Sequence, residues 1–388
     1  MSFRLSSSAR QFGDRVRRWL AEELDPAWQQ RYQPSTPEWI EFQRDWDRAL
    51  YRAGWGAIFW PSEFGGLDAT AEERVVFAKV MAEAGAPEGL GKLAKRLLAP
   101  VLIHHGDAAQ RERYLPPILR GEMVWAQGFS EPEAGSDLAS LRTTGTVDGD
   151  QLVLSGHKIW TSHAWYCDAI FALVRTARLQ RKQAGISFVL VPADAPGVSI
   201  SKIQQIDGRA ELSEVFFDDV RIPIGNVVGA LGDGWRIAKT LLRYERGAEM
   251  AFVRSAEIRH SVRELTADLS ASRVNIDDRV RQGLGRLEAA YLAAELNSLR
   301  LLGSQADGDP PGDLSAVVKL QQSEEWRRGT VDGLHLLGGG ALSRGHRHFG
   351  RYFHARPATI ASGSSEIQRE IIAHRLLGLP AGTRAGTT

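Results

Sequence analysis

The amino-acid sequence predicts an α+β fold in three successive textures. The opening stretch holds helix-spaced apolar residues behind helix-start signals. The centre holds short β-rich runs punctuated by glycine and proline. The closing stretch has no proline between Pro223 and Pro310 and carries long helical patterns. The boundaries fall at residues 1–122, 123–231 and 232–380, and the tail at residues 381–388 is expected to fray.

Each element has its own reason. Phe12, Val16, Trp19 and Leu20 keep helical spacing, as do Trp39, Phe42, Trp46 and Leu50. Thr36-Pro37 is a cap followed by proline at the first helical position. Thr70-Ala-Glu-Glu73 reads as a capping box for a helix through Phe77, Val80 and Met81. Asp107 reads as the cap of a short helix ending before Pro116-Pro117. In the centre, Leu152 and Leu154 alternate with polar residues, and residues 169–174, 186–191 and 215–222 are β-rich. These runs predict an antiparallel sheet or small barrel. Residues 235–266, 278–305 and 315–337 predict three long helices, and a fourth starts at Ser365-Glu-Ile-Gln368 and runs to Leu377. Four helices in succession predict a bundle.

Composition narrows the functional classes. A hydrophobic fraction of 43 % in 388 residues supports two or three domains with real cores. Lys+Arg 48 against Asp+Glu 47 leaves +1, so no global field draws in nucleic acid or a membrane surface. The single cysteine, Cys167, has no partner for an internal disulfide, which fits a reducing compartment. No apolar run reaches the roughly 18 residues of a membrane span, and no secretory h-region is visible. A cytoplasmic protein is the expectation.

Two motifs carry chemistry. The first is Phe129-Ser130-Glu131-Pro132-Glu133-Ala134-Gly135-Ser136-Asp137, and the second is Lys158-Ile159-Trp160-Thr161-Ser162. Hydroxyls, a tryptophan, a glycine turn and strand-like flanks suit the clasping of a flat redox ring. With these motifs in this order, the chain resembles the acyl-CoA dehydrogenases, a flavoprotein family, over nearly its whole length. The resemblance implies that family's fold: a helical N-terminal domain, a middle antiparallel β-barrel and a C-terminal four-helix bundle. It also implies FAD as cofactor. Phe129 and Ser130 then fall on positions that contact the isoalloxazine, largely through backbone. Ser136 falls on a serine near the phosphates of cofactor and acyl-CoA, beside Gly135, which would allow close approach. Trp160 matches the tryptophan over the ring's far face, and Ser162 a hydroxyl that hydrogen-bonds flavin N5. His335, Gly338, Gly339 and Gly340, with Ser364 and Glu366, match segments that meet the adenosine diphosphate part from a neighbouring subunit. Ser364 and Ser365 are also natural helix caps.

Removing an α-proton needs a base. Many family members place a Glu where this chain has Ser362, and serine cannot serve. A second branch uses a Glu-Arg pair on the first bundle helix, which corresponds to Glu245-Arg246. Glu245 is therefore the expected base and Arg246 its pocket partner, while the Ser362 N–H suits the thioester carbonyl. The family's Arg-x-x-Phe-Gly stretch is absent from residues 270–278, so the adenosine end of the cofactor is expected to be held differently. Trp125-Ala-Gln-Gly-Phe-Ser with Trp160-Thr-Ser most resembles bacterial members, including heteromeric α2β2 assemblies.

The resemblance thus implies oxidation of an acyl-CoA to its trans-2-enoyl product. Electrons would go to an electron-transfer flavoprotein, and the assembly would be a homotetramer or α2β2 heterotetramer. Three alternatives stay open: an oxidase or oxygenase on the same fold, a non-catalytic subunit sharing a cofactor site, and a dehydrogenase of acyl-carrier-protein thioesters. Other signals carry little. Residues 89–94 and 283–288 imitate a dinucleotide fingerprint without a preceding strand. His346, His348 and His354 read as a polar surface segment rather than a metal site, and His104-His105 as a helix–loop junction needing no ligand. Lys92, Lys95 and Arg96 have no evident role.

Overall fold

The structure, a computed structural model, describes residues 5–272, 275–306, 313–343 and 345–380. The tail at residues 381–388, expected to fray, lies outside the described residues. The chain divides into two compact units. One holds Asp14–Thr70 and Ala86–Glu245, and the other holds residues up to Gly13, Ala71–Gly85 and the chain from Arg246 onward.

Helices α1 (Ser7–Glu23), α2 (Trp28–Arg31), α3 (Pro37–Arg52) and α4 (Ala71–Glu83) come first. Thr36 caps α3, its hydroxyl accepting from the Trp39 N–H at 3.2 Å, with Pro37 in the first turn. A π turn over Ala94–Leu98 leads into α5 (Ala99–His105), then α6 (Ala108–Arg120). Asp107 and Gln110 form a capping box at α6. The expected stop before Pro116-Pro117 does not occur, because α6 runs through both prolines. Burial of Leu115 and Ile118 outweighs the two lost N–H donors.

The strands are β1 (Trp125–Gly128), β2 (Thr144–Asp148), β3 (Gln151–Ser162), β4 (Ala169–Arg175), β5 (Ile186–Pro192), β6 (Val198–Ile203), β7 (Leu212–Pro223) and β8 (Val227–Val228). They form one sheet in the order β6-β7-β3-β2-β4-β5-β8, with β1 on β4. The expected middle β domain is present, and most of its strands pair antiparallel. β1 and β2 both pair with β4 in parallel, and the strand path is open. Ile170, Ala172 and Val174 share a core with Leu152 and Leu154 of β3 and Val215 and Phe217 of β7. The opposite face of β4 and β5, with Phe171, Leu173, Phe188 and Leu190, packs with the π turn, α5 and α6. β4 and β5 are thus covered on both sides and read as continuous apolar runs.

The long helix expected over residues 235–266 is two helices, α7 (Gly234–Glu245) and α8 (Ala248–Ala271). Gly247, extended at ψ 171°, separates them. Helical apolar spacing continues across it, so periodicity alone does not reveal the break. The break makes Glu245 the last residue of α7.

In the other unit, α8 packs on α4, α9 (Asp278–Ala306) and α10 (Leu314–Leu337). α11 (Arg347–His354) and α12 (Ser365–Ile371) pack on α10. The helical C-terminal layer is present, but α12 is short and continues as a π turn over Ile372–Leu376. Among the described residues, no helix is long and apolar enough to cross a membrane.

α11 replaces the polar surface segment expected around His346. His348 is buried there, its Nε2 at 2.9 Å from Asp268. Arg347 meets Glu264 at 2.8 Å and Asp268 at 2.6 Å, and Arg351 also pairs with Glu264. Burial by itself raises the Glu264 pKa, but His260 and Arg351 outweigh it and hold the carboxyl at about 2. Its folded pKa lies below the unfolded one, so its stabilisation is present above the ordinary carboxylate range and fades as pH falls toward about 2. Glu264→Gln should therefore lose about 2–3 kcal/mol at neutral pH, with the gap to wild type closing in acid. Denaturation across pH checks this.

Candidate functional site

The two chemistry-bearing motifs meet in the first unit. The Ser130 carbonyl accepts from the Ile159 N–H at 3.0 Å. Lys158 Nζ donates to Glu131 at 2.7 Å and to the Phe129 carbonyl at 3.3 Å. Glu131 also accepts from the N–H groups of Arg142 at 2.6 Å and Thr143 at 2.9 Å. Side-chain exposure is 0 % for Lys158 and 7 % for Glu131, so this ion pair is a buried rivet between the motifs. Burial pulls the Lys158 ammonium down to about 8, with Glu131 only partly offsetting it. Burial alone would raise Glu131, but the ammonium and the N–H donors hold it below the usual carboxylate range. Both residues stand in the two motifs, but the motifs alone assign them no such role. Opposite charges set into two otherwise hydroxyl-rich and apolar motifs were the available signal.

The Phe129 side chain faces the core, 6.0 Å edge-on to both Phe171 and Phe188. That leaves its backbone as the group that can meet a ligand. Ser136 is exposed, and a Cβ built at Gly135 meets no atom within 4 Å, so this stretch of chain is open on its outer side.

A β-bulge presents Trp160. Lys158 pairs with Val215 and Thr161 with Ser213, so Ile159 and Trp160 oppose Glu214 alone. Trp160 has a φ of 59° and remains 56 % exposed. A tryptophan in left-handed backbone is strained, and its large apolar surface gains no burial in return. Ser162 closes β3 two residues later.

Glu245 ends α7 in this same unit, and α7 packs against the π turn, α5 and β5. His104 Nε2 meets the Tyr244 hydroxyl at 2.8 Å, and His105 Nε2 meets Thr240 at 2.9 Å. The two histidines therefore tie α5 to the helix that carries Glu245. Pattern reading had no access to these partners, which lie 140 and 135 residues away.

The second unit holds the remaining candidates. Ser362 has a φ of 59° and Gly363 one of 88°. Lys319 Nζ donates to the carbonyls of Gly363 at 2.8 Å and Ala358 at 3.1 Å. Gln368 Nε2 donates to the Gly363 carbonyl at 3.1 Å. Ser364 caps α12, accepting from the Ile367 N–H at 3.4 Å. A Cβ at Gly363 would stand 2.4 Å from Gln368 Nε2 and 2.9 Å from the Arg246 guanidinium. Arg246, Ser362 and Ser364 are thus gathered around one tight loop, while Glu366 faces outward on α12. His335, Gly338 and Gly339 lie at the opposite end of α10. Sixteen residues separate Lys319 from His335, about 24 Å of helix. Gly338 has a φ of 73°, and Cβ atoms built at Gly338, Gly339 and Gly340 meet nothing within 4 Å.

Other clusters are accounted for structurally. Gly89 and Gly91 donate to Gln43 at 3.1 Å and Asp47 at 2.7 Å, and residues 283–288 lie within α9. Among the described residues, no group of three or more His, Cys, Asp or Glu is placed to hold a metal.

Comparison with known proteins agrees along the whole chain. Residues 6–122 match the acyl-CoA dehydrogenase N-terminal domain, residues 126–220 the middle domain and residues 232–377 the C-terminal domain. The chain is 38 % identical over 382 residues to acyl-CoA dehydrogenase IpdE1 of Mycobacterium tuberculosis, covering 95 % of this chain and 97 % of that protein. A solved structure described as the Tcur3481-Tcur3483 steroid ACAD superposes with a TM-score of 0.88 at 27 % identity, covering 98 % of this chain and 100 % of that one. The ChsE4-ChsE5 complex from Mycobacterium tuberculosis gives a TM-score of 0.84 at 29 % identity, covering 98 % and 100 %. The chain belongs to the acyl-CoA dehydrogenase family, oxidoreductases whose members are FAD-binding flavoproteins.

Proposed function

We propose that this chain performs α,β-dehydrogenation of an acyl-CoA whose acyl group carries a ring system of steroid type. The observation that carries the reading is the bulge in β3. It holds Trp160 strained and exposed beside Ser162, on a strand riveted to the first motif by Lys158 and Glu131. The open backbone at residues 338–340 suits a dinucleotide, since a Cβ built at each of those glycines meets no described atom within 4 Å.

Phe129, Ser130, Trp160 and Ser162 would hold the isoalloxazine, and Ser136 would serve the phosphates. His335, Gly338, Gly339, Ser364 and Glu366 serve the adenosine end. Bound FAD supplies the acceptor for the hydride that leaves Cβ. Glu245 takes the α-proton on its carboxylate. The Ser362 N–H polarises the thioester carbonyl, which makes that proton more acidic. Arg246 braces the loop that presents this N–H. Ser162 offers its hydroxyl where negative charge gathers. An electron-transfer flavoprotein would be the electron acceptor. The steroid-type acyl group is suggested by the name of the 27 % identical steroid ACAD.

Anaerobic titration of purified protein with a panel of acyl-CoAs tests the reading. Loss of oxidised-flavin absorbance is expected with ring-bearing thioesters. Peroxide formed in air at the rate of turnover would favour an oxidase instead. Faster reaction with carrier-protein thioesters would favour that substrate class.

Trp160→Gly gives a sharper check. Glycine relieves the left-handed strain and removes little buried surface, so the melting temperature should hold or rise while flavin dissociates more readily. A tryptophan serving only the core would instead lose about 3–5 kcal/mol on truncation.

A second reading has specific support. Ser362 stands where many relatives carry a base, and residues 270–278 lack the family's Arg-x-x-Phe-Gly grip. Residues 273 and 274 lie outside the described residues. The names of two similar structures each join two components. The loop at Ser362 and the glycines after α10 lie about 24 Å apart along α10, which suits cofactor sites shared between chains in a homotetramer or an α2β2 assembly. Flavin content measured before and after adding a second chain separates these assemblies.

A further inference from the structure

In the unit that carries Glu245, one polar cluster has no part in the chemistry above. Glu88 binds Lys92 Nζ at 2.8 Å and Arg96 at 2.7 Å. These side chains keep 32 %, 32 % and 26 % of their surface accessible. The neighbouring pair Lys95–Asp47, 2.8 Å apart on the same turn, is sealed at 6 % and 2 %. The sealed pair is a brace. The open one has surface left to offer.

His163 joins this cluster. It follows Ser162 directly, turns the chain out of β3 with a φ of 64°, and is 6 % exposed. Its Nδ1 is hydrogen-bonded to the Tyr166 hydroxyl. Its Nε2 has no hydrogen-bond partner among the described residues. Lys92 and Glu88 lie close enough for both charges to act on the ring. Burial, with the Lys92 cation, pushes the His163 pKa to about 3, so the ring is neutral. Burial raises the Tyr166 pKa, so its hydroxyl keeps its proton. Assigning the Tyr166 hydroxyl as the donor to Nδ1 puts the imidazole proton on Nε2. Lys92 also brings three N–H donors, of which Glu88 takes one.

The placement matters as much as the chemistry. The π turn that follows Lys92 and includes Arg96 packs on α7, the helix ending at Glu245. His163 extends the strand that ends at Ser162. The cluster is therefore built on the same elements as Glu245 and Ser162, and it offers donors.

We propose that Lys92 and His163 form an oxygen-reading subsite for the acyl group, donating hydrogen bonds to an acceptor oxygen on its ring system remote from the thioester. Glu88, Arg96 and Tyr166 hold the two donors in place. A hydrocarbon acyl group would strip water from both donors and return nothing, and a site so built rejects the analogue lacking the oxygen. The inference rests on the acyl-CoA reading and narrows its substrate class to oxygenated rings.

The test uses oxidised holoprotein and three 2-enoyl thioesters, which bind without turnover. They are 3-cyclohexylacryloyl-CoA and its 4-oxo and 4-carboxy ring derivatives. Calorimetry should give at least about tenfold tighter binding for one oxygenated thioester. The ketone or the carboxylate arm identifies which oxygen is read. Lys92→Met and His163→Phe should each cut that preference by about tenfold, with the loss falling on the oxygenated thioesters. Equal binding of all three by wild type overturns the subsite, and that measurement needs no variant. Variants that weaken all three equally overturn it too, since a brace alone behaves that way. The saturated counterparts are mixed anaerobically with wild type in parallel. Flavin bleaching without discrimination sinks only the subsite. Discrimination without bleaching sinks the dehydrogenase reading and keeps the subsite.

Discussion

Glu245→Gln should lower kcat by about 10²–10⁴-fold, the range a positioned general base supplies, and leave flavin content unchanged. The amide keeps the length and shape of the side chain but cannot take a proton. The exchange should leave stability unchanged or slightly raised. Glu245 is the final residue of α7, where the helix dipole disfavours an anion by roughly 0.3–1 kcal/mol. The carboxylate stands at a helix end whose dipole disfavours it, next to a tyrosine held by His104 at 2.8 Å. Turnover and flavin absorbance are measured on the same preparation. Wild-type turnover in the variant would remove Glu245 from the mechanism.

Lys158→Met has the largest expected effect on stability. It leaves the Glu131 carboxylate buried and without its cation, a change that destabilises by about 3–5 kcal/mol. The damage should be local to the proposed flavin site, because Lys158 also holds the Phe129 carbonyl and Glu131 holds the N–H groups of Arg142 and Thr143. Flavin is therefore lost at lower urea concentration than in wild type. The double variant Lys158→Met/Glu131→Gln recovers part of the loss, since the orphaned charge goes too. The pH response follows from the lowered Glu131 pKa. Its contribution is present above the unfolded carboxylate value and disappears as pH falls through the folded one. Single and double variants with equal stability would mean that the pair is not coupled.

Some of this was legible in the residues. Thr36-Pro37 and Asp107 announce their helices because caps act within one turn. β4 and β5 announce themselves because strands covered on both faces are continuously apolar. β1 stayed hidden because Trp125–Gly128 reads as part of a binding motif and pairs in parallel with a strand more than 40 residues away. β6 stayed hidden because the exposed Ser199, Ser201 and Lys202 dilute Val198 and Ile200. The division of α7 from α8 was missed because apolar spacing runs through Gly247. In the site, Trp160 and Ser162 could be named from their motif. The bulge that turns the indole outward could not, since it depends on the register against β7. Lys158–Glu131, His104–Tyr244 and the partners of Lys92 and Arg96 depend on tertiary contact, so periodicity leaves no trace of them.

The most direct measurement is rapid anaerobic mixing of the flavin-loaded protein with a ring-bearing acyl-CoA, following oxidised-flavin absorbance in wild type and Glu245→Gln. The account predicts fast bleaching in wild type and almost none in the variant, at equal flavin content. Equal bleaching in both, or a correctly assembled wild-type protein that takes up no flavin, would contradict it.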